Sequence, residues 1–461
     1  MSHRIDLASQ IDQWRSHLQR HGVFDGPDLQ ELEGQLRGQL SELVQIGLSE
    51  EEAFLIAVKR LGRIDTRSRE FARTHASRLW TQLVLDPDAG ETSEEAVHSE
   101  FFIVVALAVA AALAIKVPAL FGLQLDDDGP DNAANGAFYL RNLSLFVLPF
   151  LVGYLAWKRR WVSGLRWLLP PFAIAAALVN LYPFSAGGST EILTMIHLPI
   201  ALWLLVAIAH AGGEWNASGR RMDFVRFSGE LAIYYVLIAL GGGVFIAFTL
   251  LMFGFIGYDE AAGQFANLWI LPCGALGAVI VASWLVEAKQ SALANMAPVL
   301  TRLFTPLFVL LLLAFLATML WTRTGLHVDR EMLIGFDLLL VLVLGLLLYA
   351  VSARDPQAPP GVFDGLQLVL VISALVVDML ALVAITGRIS EFGFSANRIA
   401  ALGENLILLV NLGWSAWLYY RFVRGRQSFL ALERWQTAYL PVYALWAAVV
   451  VVLFPPVFGY L

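Results

Sequence analysis

Over residues 1–97 apolar positions recur at helical spacing among charged ones, whereas from Phe101 onward they gather into blocks long enough to cross a bilayer. In the first stretch Ile5, Ile11, Trp14 and Leu18 mark one stripe, and Leu29, Leu32, Leu36, Leu40 and Leu43 mark a second at spacings of three and four. A third begins at Ser49, whose hydroxyl pairs with the position of Glu52 in a capping box. Ala53, Ile56, Ala57 and Leu61 give that helix an apolar face, and Gly62 suits its C-terminal end. The pattern predicts a three-helix prefix domain over 1–85. The polar, acidic run LDPDAGETSEEAVHS then predicts a linker over 86–99.

Eleven apolar blocks follow, with approximate cores at 101–123, 138–157, 161–182, 191–211, 228–257, 264–287, 298–322, 333–353, 363–386, 398–422 and 439–458. The expected fold is therefore all-α: a polytopic transmembrane helix bundle of about eleven spans over 100–461, preceded by the small N-terminal cytoplasmic helical domain. The fifth block is overlong. Its Gly241-Gly242-Gly243 run predicts either a kink or, more often, close helix packing.

Composition agrees with the pattern. The chain is 58% hydrophobic and 15% charged, against roughly 45–50% and about 25% for soluble chains. The lipid bilayer is thus its main partner, and a formal charge of −7 gives no basis for a nucleic-acid partner. A single cysteine, Cys273, excludes a disulfide framework, a thiolate zinc site or an iron–sulfur cluster within one chain. Walker, His-Glu-x-x-His, Gly-x-Ser-x-Gly and dinucleotide-binding patterns are absent, so no catalytic residue, metal ligand or cofactor is assigned and an enzyme is the less favoured class.

Charge gives direction. Loops that alternate spans place on one side carry 14 Lys/Arg, from Lys158 to Arg434. The other side holds 6, namely Lys116, Arg141, Arg323, Arg330, Arg388 and Arg398. The positive-inside rule makes the first side cytoplasmic, with the N-terminus inside and the C-terminus extracytoplasmic in a bacterial cytoplasmic (inner) membrane. The first 30 residues lack the apolar region of a secretory signal. Asp126-Asp127-Asp128 and Asp131 fall in the first outer loop and read as a solvated negative segment, since no EF-hand spacing accompanies them.

Ionisable groups within the spans carry the most information, because each costs roughly 2.5–3.5 kcal/mol at mid-bilayer on insertion scales. Counting at 1.5 Å per residue puts Lys116, His197, Asp378 and Glu404 about 9–12 Å below the outer ends of four spans. Arg141, Asn142 and Asp337 enter less deeply, while Arg398 and Asn405 flank Glu404 on the tenth span. Two arrangements fit. These residues line an outward-facing polar cavity, or Lys116–Asp378 or Arg141–Glu404 are buried structural ion pairs that hold helices in register, with Arg141 and Asp337 merely snorkelling. Towards the inner side the chief groups are Glu230 and Glu287.

Two segments resemble known families. VQIGLSEEEAFLIAVKRLGRID is similar to the helical permease-prefix type of domain, which implies docking or regulation through a cytoplasmic protein partner at residues 1–85. ITGRISEFGFSANRIAALGENLILLVNLGWSAW resembles the signature region of an uncharacterised bacterial integral-membrane family, domain of unknown function four-one-five-three. Gly393, Ser395, Asn397 and Arg398 match that pattern, and Glu404 stands where the pattern is apolar. The resemblance implies a membrane location and no established activity. The leading expectation is a permease-like transporter of a small polar ligand, in which Asp378 and Glu404 bind a cation or proton and Lys116 and Arg141 meet anionic groups. A membrane-embedded sensor or scaffold signalling through the prefix is the alternative, and an enzyme acting on a lipid-linked substrate ranks third.

Overall fold

The computed structural model describes residues 89–124, 132–255, 258–288, 296–322 and 330–461, together with ten positions between Gly34 and Ala57. The chain divides into two compact units, Met1–Phe101 and Phe102–Leu461. The ten early positions are helical, and Leu36, Leu40, Leu43, Ala53, Phe54 and Ala57 among them are buried. The Ile5–Leu18 stripe, the Ser49–Glu52 capping box, Gly62 and the Asp126–Asp131 loop lie outside the described residues.

Every regular element among the described residues is helical. Helix α1 (Ala89–Ala114) starts within the stretch read as linker, so residues 89–99 have helical backbone, in keeping with their Glu and Ala content. There follow α2 (Asn132–Lys158), α3 (Leu165–Leu181), α4 (Ser189–His210), α5 (Ser218–Gly254) and α6 (Asp259–Phe265). A π-turn over Ala266–Ile270 leads into α7 (Leu271–Ala288). Then come α8 (Met296–Thr322), α9 (Arg330–Ala353), α10 (Val362–Phe392), α11 (Ala396–Val423) and α12 (Leu430–Val457). With α6, the π-turn and α7 forming one crossing, 11 helical segments among the described residues are long and apolar enough to span a membrane. The protein is an all-α polytopic membrane protein. A helix satisfies its own backbone in lipid, which explains why these apolar blocks adopt no other form.

Among the described residues, two large apolar clusters and a smaller one around Leu193, Ala400 and Val450 lie in the second unit. One large cluster joins α1, α2, α3, α4, α5 and α7 around Leu151, Tyr154, Leu155, Val206 and Ile280. The other joins the start of α5 to α8, α9, α10 and α11 around Leu312, Leu340, Leu347, Leu370 and Leu412. Helix α12 contributes to both, through Val451 to the first and Leu432 to the second, and it packs extensively along α4. The end of the chain reinforces that pairing: the Thr190 amide, in the first turn of α4, donates to the Leu461 oxygen at 2.8 Å, and the Ser185 amide donates to Tyr460 O at 2.9 Å. An oxygen at a helix N-terminus satisfies one of the amides that the helix leaves free.

The α5 glycines behave differently from the expectation. Helix α5 is unbroken, and a Cβ added at Gly241, Gly242 or Gly243 would meet nothing within 4 Å, so the run mediates no close packing among the described residues. Its neighbours Val244, Phe245 and Phe248 are likewise exposed, an apolar surface of the kind that faces lipid.

Candidate functional site

The polar residues singled out in the sequence fall into separate groups. Lys116, just past the end of α1, donates to the Leu268 carbonyl of the π-turn and lies 4.8 Å from the Trp269 ring centre. A π-turn frees backbone carbonyls from the ordinary helical ladder, which gives a lysine there a partner without a carboxylate. Arg141 on α2 pairs at 2.6 Å with Glu191, in the first turn of α4, and stacks 5.2 Å from the Phe184 ring centre. The Glu191 carboxylate also accepts the Gly187 amide at 3.1 Å. Asn142 exchanges two hydrogen bonds with Asn180 of α3, at 2.9 and 2.7 Å. Arg398 caps the end of α10, donating to Phe392 O and Gly393 O. The expected pairs Lys116–Asp378 and Arg141–Glu404 are therefore not formed. Glu191 is the partner that sequence reading missed, because an acidic residue at a helix start reads first as a dipole cap.

The remaining five residues come together. His197 of α4 meets Glu404 of α11, with Nε2 and Oε1 2.5 Å apart, while the His197 Nδ1 side faces Leu193 O at 2.8 Å. That backbone carbonyl fixes the ring orientation and favours a proton on Nδ1. Next along α11, Asn405 donates through Nδ2 to Asp337 Oδ1 of α9 at 2.9 Å and to Ala401 O at 2.8 Å. Asp337 lies close enough to Glu404 for their charges to interact, and Asp378 of α10 has the same relation to Asp337. Asp378 is 0% exposed, and neither of its oxygens accepts a hydrogen bond from any described residue. The Oδ1 of Asn405 and the hydroxyl of Tyr443 on α12 are buried and unpaired in the same way. Tyr443 is near enough to Asp378 to feel its charge. Tyr443 carried no signal in the sequence, since an aromatic residue in an apolar span reads as packing.

Exposure is graded through this cluster. The Glu404 side chain is 34% exposed and that of its partner His197 6%, whereas Asp378 is sealed. Asp378 also lies deeper than the sequence count suggested, because α10 continues to Phe392 and places it near the helix midpoint. Packing fixes the geometry on the α11 side: the indole of Trp446 on α12 lies directly against Gly403, the residue before Glu404.

The other charged clusters have structural partners. Near the ends of α2, α4 and α7, Arg159 donates to Glu287 at 2.7 Å and contacts His210 Nε2 at 3.2 Å, with His210 and Glu287 3.4 Å apart. Arg354 holds Asp364 at 2.7 and 3.1 Å and stacks between the Phe422 and Phe429 rings. Outside the spans, burial, with a smaller contribution from Tyr460, holds the Tyr182 phenol above its ordinary range, so it serves as a neutral donor to Val452 O at 3.0 Å. Among the described residues no group of three or more His, Cys, Asp or Glu side chains is placed to hold a metal ion. No known protein family matches the chain, and no curated protein or solved structure gives a match.

Proposed function

We propose that this membrane protein is permease-like and moves a small polar solute through the bundle by way of the α4–α9–α10–α11 cluster. The observation that carries the reading is the convergence of His197, Asp337, Glu404 and Asn405 beside the sealed Asp378, which, unlike the buried acids Glu191, Glu287 and Asp364, has no basic partner among the described residues. A bundle needing only stability is served as well or better by apolar residues at such positions, so a persistent polar cluster at membrane depth points to handling of polar cargo. The excess of basic loops supports an orientation in a bacterial inner membrane with the prefix cytoplasmic and the cluster opening to the outside. The prefix, through its permease-prefix resemblance, is read as the contact for a cytoplasmic partner, and membership of the uncharacterised integral-membrane family remains part of this proposal.

Uptake by reconstituted liposomes tests it. A panel of radiolabelled amino acids, dicarboxylates, sugars and polyamines should include at least one solute that accumulates saturably, and Glu404→Gln should reduce that uptake. Accumulation no greater than in protein-free liposomes across the whole panel overturns the reading.

A further inference from the structure

Asp378 sits near the middle of α10 with no exposed surface and no hydrogen-bond donor among the described residues. A bare carboxylate in such a place is among the costliest groups a membrane-embedded core can hold, and it has to be neutralised by a positive charge. The basic residues of this layer do not provide that charge. Lys116 is engaged by Leu268 O, Arg141 by Glu191 and His197 by Glu404.

The surroundings are rich in acceptors, and the one uncommitted donor among the groups named here is the neutral Tyr443 hydroxyl, which brings no positive charge. Besides the two Asp378 oxygens, Asn405 presents a buried Oδ1 without a partner, and its Nδ2 is already committed to Asp337 and Ala401 O. The titratable groups facing Asp378 are Asp337 from α9 and Tyr443 from α12, with Glu404 of α11 one step further through Asp337. Helix α8, which also packs on α10, carries only Arg302, near its start. Oxygen acceptors without nitrogen or sulfur ligands suit hard cations or protons and give a softer transition metal no purchase. The graded exposure from Glu404 to Asp378 supplies a direction of entry.

We propose that Asp378 is the binding carboxyl for a monovalent cation, a proton or an alkali-metal ion, which enters past Glu404 and Asp337. The coupling of that cation to solute movement rests on the transport reading above; its binding does not.

Two measurements on the full-length protein test the site and separate the two sources. Scintillation proximity with radioactive sodium on purified protein reads alkali-ion binding, with unlabelled sodium and potassium as competitors. A pH-sensitive dye inside proteoliposomes reads proton entry. Wild type should give saturable sodium binding or protein-dependent proton entry, and Asp378→Asn, which keeps the side-chain shape, should weaken that signal by about tenfold or more, as expected for loss of the one neutralised charge. If Asp378→Asn does not yield monodisperse protein, Asp378→Glu should retain the signal with altered affinity and Asp337→Asn should reduce it. A wild type that neither binds sodium nor admits protons overturns the proposal, as does an Asp378→Asn protein indistinguishable from wild type. Solute uptake unchanged in Asp378→Asn removes the coupling and leaves transport standing. Cation binding without uptake of any solute leaves the site standing and removes transport.

Discussion

His197 and Glu404, 207 residues apart in sequence, meet at 2.5 Å and tie α4 to α11 beside the sealed acid of α10. Hydrogen bonds to charged groups contribute about 1.5–3 kcal/mol, and the partial exposure of the Glu404 side chain places this one at the lower end. Glu404→Gln and His197→Ala should each lower thermal stability modestly, while the double variant should lose less than the sum. Strict additivity in that cycle would show that the two side chains do not couple.

Gly403 has no room for a side chain. A Cβ there would run into the Trp446 indole, whose ring spans the α11–α12 contact. Gly403→Ala should therefore cost about 1–3 kcal/mol through overpacking, and Trp446→Leu in the same protein should restore most of it. Thermal unfolding of the two variants in detergent checks this, and a Gly403→Ala protein as stable as wild type would mean the helices separate freely at this point.

The span count and the membrane class were legible because apolar blocks of bilayer length leave a helix few alternatives. The depth of the ionisable groups was legible only as far as the helix ends were: rise per residue converts position into distance, but α10 runs on to Phe392 and so sets Asp378 deeper than the count. Partnership was not. Lys116 found a backbone carbonyl of a π-turn and Arg141 found Glu191, and neither choice is written in depth, because azimuth depends on how helices pack rather than on their own sequence. The Gly241–Gly243 run misled for a related reason: small residues permit close approach, and here no neighbour among the described residues makes it.

The Arg159–Glu287–His210 cluster predicts an asymmetric response to mutation. Glu287 is nearly sealed, with a side chain 2% exposed, and Arg159 is its 2.7 Å partner. Arg159→Leu strands a buried carboxylate and should cost about 3–5 kcal/mol, whereas Arg159→Leu with Glu287→Leu should cost much less. Equal losses in the single and double variants would assign the effect to packing by the arginine stem rather than to the stranded charge.

Thiol labelling tests the graded exposure and the orientation together. In a background with Cys273 replaced, cysteines at 404, 197 and 378 sample positions where Glu404, His197 and Asp378 are 34%, 6% and 0% exposed respectively. A membrane-impermeant maleimide added to intact cells reaches only groups in contact with external water. Glu404→Cys should react readily, His197→Cys slowly, and Asp378→Cys not at all on the same timescale. Equal reaction at 404 and 378 would mean that water reaches the middle of α10 and that Asp378 needs no bound cation to offset its charge. Protection of 404 in intact cells, with labelling once the reagent is admitted to the cytoplasm, would reverse the orientation inferred from the basic loops and place the entry to Asp378 on the inner side.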